Sequence, residues 1–297
     1  MTKICIAVCT CDRPEMLAKL LLEVVRQHGR AIPVIVADNG NNPARAVVDT
    51  FAAQLDLRYS RVKEAGLAVV RNRTLQMAKD GGFQYVACID DDEYPNDGWL
   101  AELESPAELR DADIVYGSVI PDPAVRLPNW LSKGGFLSHS GNTHSTANVL
   151  LRLSILPQQD TDWFSQKFAF VGGEDNEFLT RLEVNGAKVV NANKAVVVEH
   201  VPSDRLKIRY YLRRGFREGV FAAQLILHQN QNPARVAWLS TKLIGRKIGF
   251  GLHHMFFGPF DSWHLVRGLM DFCAIYGVFM RLVGRNYVFY GRKPGPQ

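Results

Sequence analysis

The chain has 297 residues, is 47% hydrophobic and carries a formal net charge of +5. That length can bury a large core, and that apolar content excludes a disordered chain. Of its five cysteines, Cys5, Cys9, Cys11 and Cys88 lie on or beside apolar strands and none is in C-x-x-C spacing, so free, mostly buried thiols are expected, against a disulfide framework or zinc site.

Met1-Thr2-Lys3 leads directly into strand residues, and the apolar run breaks at Asp12, unlike a signal peptide. Ile4 to Val8 is continuously apolar, as in a strand covered on both faces. Asp12 is expected to cap the next helix, with Pro14 in its first turn and Glu15 completing a capping box. Leu17, Leu20, Leu21, Val24 and Val25 form the apolar face of that helix, and Gly29 stops it. Strands follow at Val34–Ala37, ending in Asp38-Asn39-Gly40, and near Leu57–Tyr59 after a helix around 44–54. A helix over 66–79 and a strand over 84–89 complete a βαβαβαβ run, which predicts a right-handed, mostly parallel sheet. Ligands bind beyond the C-terminal ends of such strands, where Asp12, Asp38, Asp90 and Asp92 all fall.

The fourth strand runs into Asp90-Asp91-Asp92-Glu93. Strand alternation would point Asp90 and Asp92 to one face and Asp91 to the other. Two carboxylates on one face can hold Mg2+ or Mn2+ with positions open for phosphate, and a solvated acidic turn accounts for the same residues. Asp113–Val119 and Ala147–Leu151 read as strands. Residues 120–145 between them, rich in Pro, Gly, Ser and His, suit either a substrate lid or a surface loop; His139 and His144 lie there. Gly172-Gly173-Glu174-Asp175 then opens a helix through Phe178, Leu179 and Leu182 to Gly186. Its acids suit a first helical turn, and Asp175 also suits a general base projecting into the cleft.

Five segments together resemble an inverting glycosyltransferase of family 2 with the GT-A fold, of the bacterial exopolysaccharide, succinoglycan glucosyltransferase type. They are Val8 to Pro14, Val36 to Gly40, Gly66 to Asn72, Ile89 to Glu93 and Gly173-Glu174-Asp175, in the family's order over roughly residues 3–220. The resemblance implies a UDP-sugar donor, a saccharide or lipid-linked saccharide acceptor, and Mn2+ or Mg2+. It implies that Thr10, Arg13, Asp38, Arg71, Asp90 and Asp91 bind the nucleotide sugar, with Asp38 on uracil and Asp90 on ribose. Asp92, with Asp90 and His200, would ligate the metal, and Asp175, beside Glu174, would be the catalytic base. Arg71 also reads as a helix-face salt bridge, and His200 as a structural histidine. The Gln-x-x-Arg-Trp motif of processive relatives is replaced by Tyr211 to Gly219, which argues for addition of a single sugar. Arg213 and Arg214 there suit diphosphate or acceptor, or a solvated basic face.

Residues 203–297 hold 15 Lys and Arg against 4 Asp and Glu, a net of +11, whereas residues 1–202 hold 20 against 26, a net of −6. Leu265 to Val283 is the longest apolar stretch; Arg267, Asp271 and Arg281 interrupt it and argue against a lipid-spanning helix. Phe250, Phe256, Phe257, Phe260 and Trp263, with Arg246 and Lys247, suit a peripheral element on an anionic cytoplasmic leaflet of the inner membrane. A helical subdomain packed on the body, or on a second copy in a homo-oligomer, accounts for them equally. The expected organisation is therefore an α/β catalytic domain over 1–220 and a helical, basic and apolar extension over 221–297. A nucleotidyltransferase would need a glycine-rich basic loop after the first strand, and a non-catalytic membrane scaffold leaves the five motifs without a purpose. The tail is too apolar for a nucleic-acid binder.

Overall fold

The computed structural model describes residues 3–105, 112–141, 144–158 and 162–289. They form two compact units. The first comprises Met1–Asp122, Ser138–Ala169 and Glu174–His200, and the second Pro123–Leu137, Phe170–Gly173 and Val201–Gln297. The sequence-derived cut at residue 220 falls inside a continuous helix, Ile208–Gln229.

The first unit is built on one eight-stranded sheet. Its strands are β1 (Ile4–Thr10), β2 (Val34–Asp38), β3 (Leu57–Arg61), β4 (Tyr85–Asp90), β5 (Glu93–Pro95), β6 (Ile114–Pro121), β7 (Asn148–Arg152) and β8 (Val189–Glu199), in the order β3-β2-β1-β4-β7-β6-β8-β5. The expected α/β class holds. Strands β3, β2, β1 and β4 run parallel, because helices cross back between them. Antiparallel pairing enters with β7, which lies against β4 and β6, and with β5, which pairs with β8. Ile4, Ile6 and Val8 of β1 and Val34 and Val36 of β2 are all buried, as continuous apolar strands require when both faces are covered.

Helices α1 (Pro14–His28), α2 (Arg45–Phe51), α3 (Leu67–Asp80), α4 (Trp99–Leu103) and, beyond a short α5 (Asn129–Lys133) of the second unit, α6 (Glu174–Val184) follow the strands. Leu17, Leu20, Leu21 and Val24 bury the predicted face of α1, and Gly29, at φ 51°, ends it. The start of α1 differs from expectation. Arg13 occupies the cap position without a side-chain cap bond. Asp12 takes φ 54° instead, and its Oδ1 accepts from the Asn42 amide at 2.7 Å. A carboxylate N-terminal to a helix can serve whichever free amides lie closer, and here those belong to the loop after β2.

The second unit comprises α5, α7 (Ile208–Gln229), α8 (Pro233–Phe257) and α9 (Ser262–Leu282). Its core gathers Leu131, Phe136, Leu137, Tyr211, Val266 and Met270. The irregular segment 120–145 has regular packing over its described part: it ends β6, forms α5 and buries three side chains of this core (142–143 lie outside the described residues). Helices α7 and α9 cross through small residues; a Cβ on Gly219 would lie 1.9 Å from the Ala274 carbonyl oxygen. Among the described residues, no helix is long and apolar enough to cross a membrane.

Candidate active site

The parallel register sets the site. Thr10 pairs with Asp38 and Cys9 with Asp90, so the ends of β1, β2 and β4 lie side by side. Beyond β4 the chain turns, and the alternation predicted for the three aspartates stops at Asp90. Asp91 is nearly buried and accepts from the Thr10 hydroxyl at 2.8 Å and from Arg13 at 3.1 Å. The same Arg13 nitrogen reaches Asp92 at 2.9 Å. Asp91 and Asp92 therefore share one guanidinium, because a turn, unlike a strand, allows consecutive side chains to converge.

Glu93 folds back, and its carboxylate accepts from the Asp90 amide at 3.0 Å. Burial, reinforced by the Asp90 charge, raises the Glu93 carboxyl well above the usual range. The His200 amide donates to the Asp92 carbonyl at 2.8 Å, which fixes the end of β8 to the acidic turn. Burial pushes the Asp90 carboxyl up to about 7, with Asp92 and Asp91 adding to the rise and Arg71 opposing it.

Arg71 lies on the buried side of α3 and forms an ion pair with Glu174, the first residue of α6. Its guanidinium also lies over the Phe164 ring, 5.8 Å from the centroid. Asn72 anchors that ring's backbone, donating to the Phe164 carbonyl at 2.9 Å and accepting from its amide at 2.8 Å. Burial works against the Arg71 charge, but Glu174, Asp175 and Asp90 more than offset it and hold the guanidinium protonated. Three acidic groups from two chain segments thus converge on one cation. Asp175 remains partly open beside them, its Oδ1 accepting from the Asn176 amide at 2.8 Å. Gly172 and Gly173 deliver the chain to this turn at φ 86° and 87°, a region L-residues avoid.

Asp38, which the resemblance puts on the uracil ring, is bonded within the structure by its own loop and by β3. It is fully buried, and its carboxylate accepts from the Gly40 amide at 2.8 Å, the Ala44 amide at 2.7 Å and the Tyr59 hydroxyl at 2.8 Å. Burial and the Asp38 bond push the Tyr59 hydroxyl up to about 12. Gly40 is required here, because a Cβ would lie 2.3 Å from the Asp12 amide nitrogen. Asp38 is therefore an organiser of the loop beside Thr10.

Arg213 and Arg214 belong to the second unit. Arg213 is exposed; Arg214 donates to Glu218 at 3.0 Å along α7. His139 joins Val119 through the backbone, and His144 meets Glu183 at 3.0 Å. Sequence reasoning missed the supporting roles of Tyr59, Phe164 and Glu93. The aromatic pair carried no local signal, whereas Glu93 stood in the acidic run itself.

A cavity of about 10 Å³, room for roughly one water, lies behind Asp90 between Arg71, Cys9, Cys88 and Thr146. Burial pushes the Cys9 thiol up to about 12 and holds it neutral. All five cysteines are free, three of them (Cys9, Cys11, Cys273) with some exposure.

Among the described residues, no group of three or more His, Cys, Asp or Glu is gathered to hold a metal by itself. Asp90 and Asp92 nevertheless supply hard oxygen donors. A Mg2+-type cation is commonly held by one or two carboxylates with the remainder from substrate phosphate, so this donor set fits such an ion.

With this geometry in view, comparison with known proteins is specific. The glycosyl transferase family 2 model matches residues 5–163. The succinoglycan biosynthesis protein ExoM of Rhizobium meliloti is 31% identical over 261 residues, covering 82% of this chain and 81% of that protein. The fold resembles a mannosyltransferase from Pyrobaculum calidifontis, solved with GDP-Man and Mn2+, at a TM-score of 0.61 and 16% identity over 94% of this chain and 87% of the other. It also resembles S. aureus TarS 1–349 with UDP-GlcNAc, at 0.53 and 17% identity over 96% and 93%.

Proposed function

Since the chain belongs to glycosyltransferase family 2, we propose that it moves a sugar from a UDP-sugar to a hydroxyl of a saccharide or lipid-linked saccharide, inverting the anomeric carbon, in exopolysaccharide assembly. The observation that carries this reading is the convergence of Asp90, Glu174 and Asp175 on Arg71, beside the turn where Arg13 joins Asp91 and Asp92. The ExoM name supports the exopolysaccharide context, and the UDP-GlcNAc bound to TarS supports a UDP-sugar.

In this reading Asp175 accepts the proton of the acceptor hydroxyl, which attacks the anomeric carbon from the side opposite UDP. A single displacement then converts an α-linked donor into a β-glycoside. Thr10 and Arg13 order the acidic turn, and Asp38 holds the adjoining loop in shape for the nucleotide. Asp92 and Asp90, with His200 next to the same turn, would hold Mn2+ or Mg2+, which would neutralise charge building on the departing diphosphate. Positioning donor and acceptor in line supplies much of the remaining rate gain. The protein would act in the cytoplasm, peripherally at the inner membrane.

The test is a screen of UDP-sugars for Mn2+-dependent hydrolysis or transfer, read as released UDP. Release of UDP from one sugar with Mn2+, and none without it, is the expected result. Release of pyrophosphate from a sugar phosphate and UTP would instead identify a nucleotidyltransferase.

A further inference from the structure

Helix α8 spans 25 residues and contains no Asp or Glu, against Arg235, Lys242, Arg246 and Lys247. Only Ser240 and Gly251 on it are buried. Lys247 turns to that same inward side, where it meets Asp271 of α9 at 2.6 Å, so it is not part of the outer surface expected from sequence. Trp263 is likewise half-buried, stacked on His264 at 3.7 Å.

The opposite side of α8 has its own apolar stripe. Trp238, Gly245, Gly249, Leu252 and Phe256 follow one another at helical spacing, and Trp238, Leu252 and Phe256 are 61%, 58% and 71% exposed. Phe260, just past the helix end, is 81% exposed. Arg235, Lys242 and Arg246 project along one edge of the stripe, with Lys242 over the Trp238 ring at 5.2 Å. A water-facing helix that is apolar on its outer side and basic along the edge has the form of an interfacial helix.

We infer that the outer face of α8 docks on an anionic lipid bilayer. Charge selects this occupant. Two copies meeting antiparallel through this face would bring Arg235, Lys242 and Arg246 against the same cations, and in either direction α8 offers them no carboxylate. An anionic headgroup layer receives all three while the acyl region takes Trp238, Leu252 and Phe256. The inference rests on the proposed peripheral placement and adds the surface, the residues and the lipid class.

The test uses the full chain with vesicles of phosphatidylcholine alone or mixed with phosphatidylglycerol. Co-sedimentation is read, together with quenching of tryptophan fluorescence by brominated lipid. The expected result is binding to the anionic vesicles only, weakened by salt. Lys242→Gln with Arg246→Gln should weaken it roughly thirtyfold, about fivefold per charge. Leu252→Ser with Phe256→Ser should abolish the quenching, with the helical circular dichroism unchanged. No binding by the unaltered chain overturns the inference, as does binding indifferent to both double variants. A dimer that becomes monomeric in the serine variant overturns it in favour of a second copy. Hydrolysis of UDP-sugar in solution, measured on the same variants, should not change. Its absence from the unaltered protein would sink the proposed reaction and leave the vesicle result standing.

Discussion

Arg71 on α3 and Glu174 at the start of α6 are 103 residues apart in sequence and form a buried ion pair at the base of the candidate site. The residue after Glu174 is Asp175, so whatever fixes Glu174 fixes the position of the proposed base. The pair also brings a positive charge to Asp90. One guanidinium thus holds together the nucleotide side and the acceptor side of the proposed reaction.

Removing the cation strands a buried carboxylate. Arg71→Met should cost about 3–5 kcal/mol of unfolding free energy, measured by urea denaturation. Glu174→Gln keeps the volume and one acceptor, and should cost less. Equal stability of Arg71→Met and the parent would show that the pair does not hold the site.

Asp175→Asn preserves shape and removes basicity. Turnover should fall at least a hundredfold, the lower range for losing a general base, while UDP affinity stays within a factor of about two. Calorimetric titration with UDP and a coupled assay for UDP release would check both halves, and full activity would remove the assignment.

Asp92→Ala should abolish turnover and weaken Mn2+ binding in the presence of UDP, read by the electron paramagnetic resonance of free Mn2+. In the same variant Arg13 keeps Asp91 as a partner. The fold should therefore survive, with a melting temperature within a few degrees of the parent.

Asp90 gives a pH signature. Its folded carboxyl is raised to about 7, above the ordinary aspartate range of about 4, chiefly by burial. Between those values the folded state binds more protons than the unfolded one, so this group's contribution to stability falls as pH rises from about 4 to about 7. Asp90→Asn abolishes that loss. In chelator-treated buffer it should stabilise the protein at pH 8 by about 2 kcal/mol, discounted for the part of Asp90 open to solvent, and change little near pH 4. A stabilisation of the same size at both pH values would refute the electrostatic account.

Asp38 serves two amides and a hydroxyl at once. Asp38→Ala leaves all three donors without that acceptor and should cost about 2–4 kcal/mol. Tyr59→Phe removes one bond only and should cost about 1 kcal/mol. If Asp38→Ala weakened UDP binding without loss of stability, a direct role on the base would replace the loop role.

Much of this protein was legible in its sequence because the relevant signals are local. Continuous apolar runs marked β1, β2 and β4, helical spacing marked α1, and the alternation of strands and helices put Asp12, Asp38, Asp90 and Asp92 at the C-terminal ends of strands in one sheet. The tertiary structure alone decided the partners. Asp12 left the α1 terminus for the Asn42 amide, Asp38 turned into its own loop, and Arg71 met Glu174 across a long stretch of chain. Residue type states what a side chain can bond to, but which donor lies within about 3 Å depends on segments brought together only by packing. The same reason hid the position of β7 and the burial of Leu131, Phe136 and Leu137, whose contacts lie far along the chain.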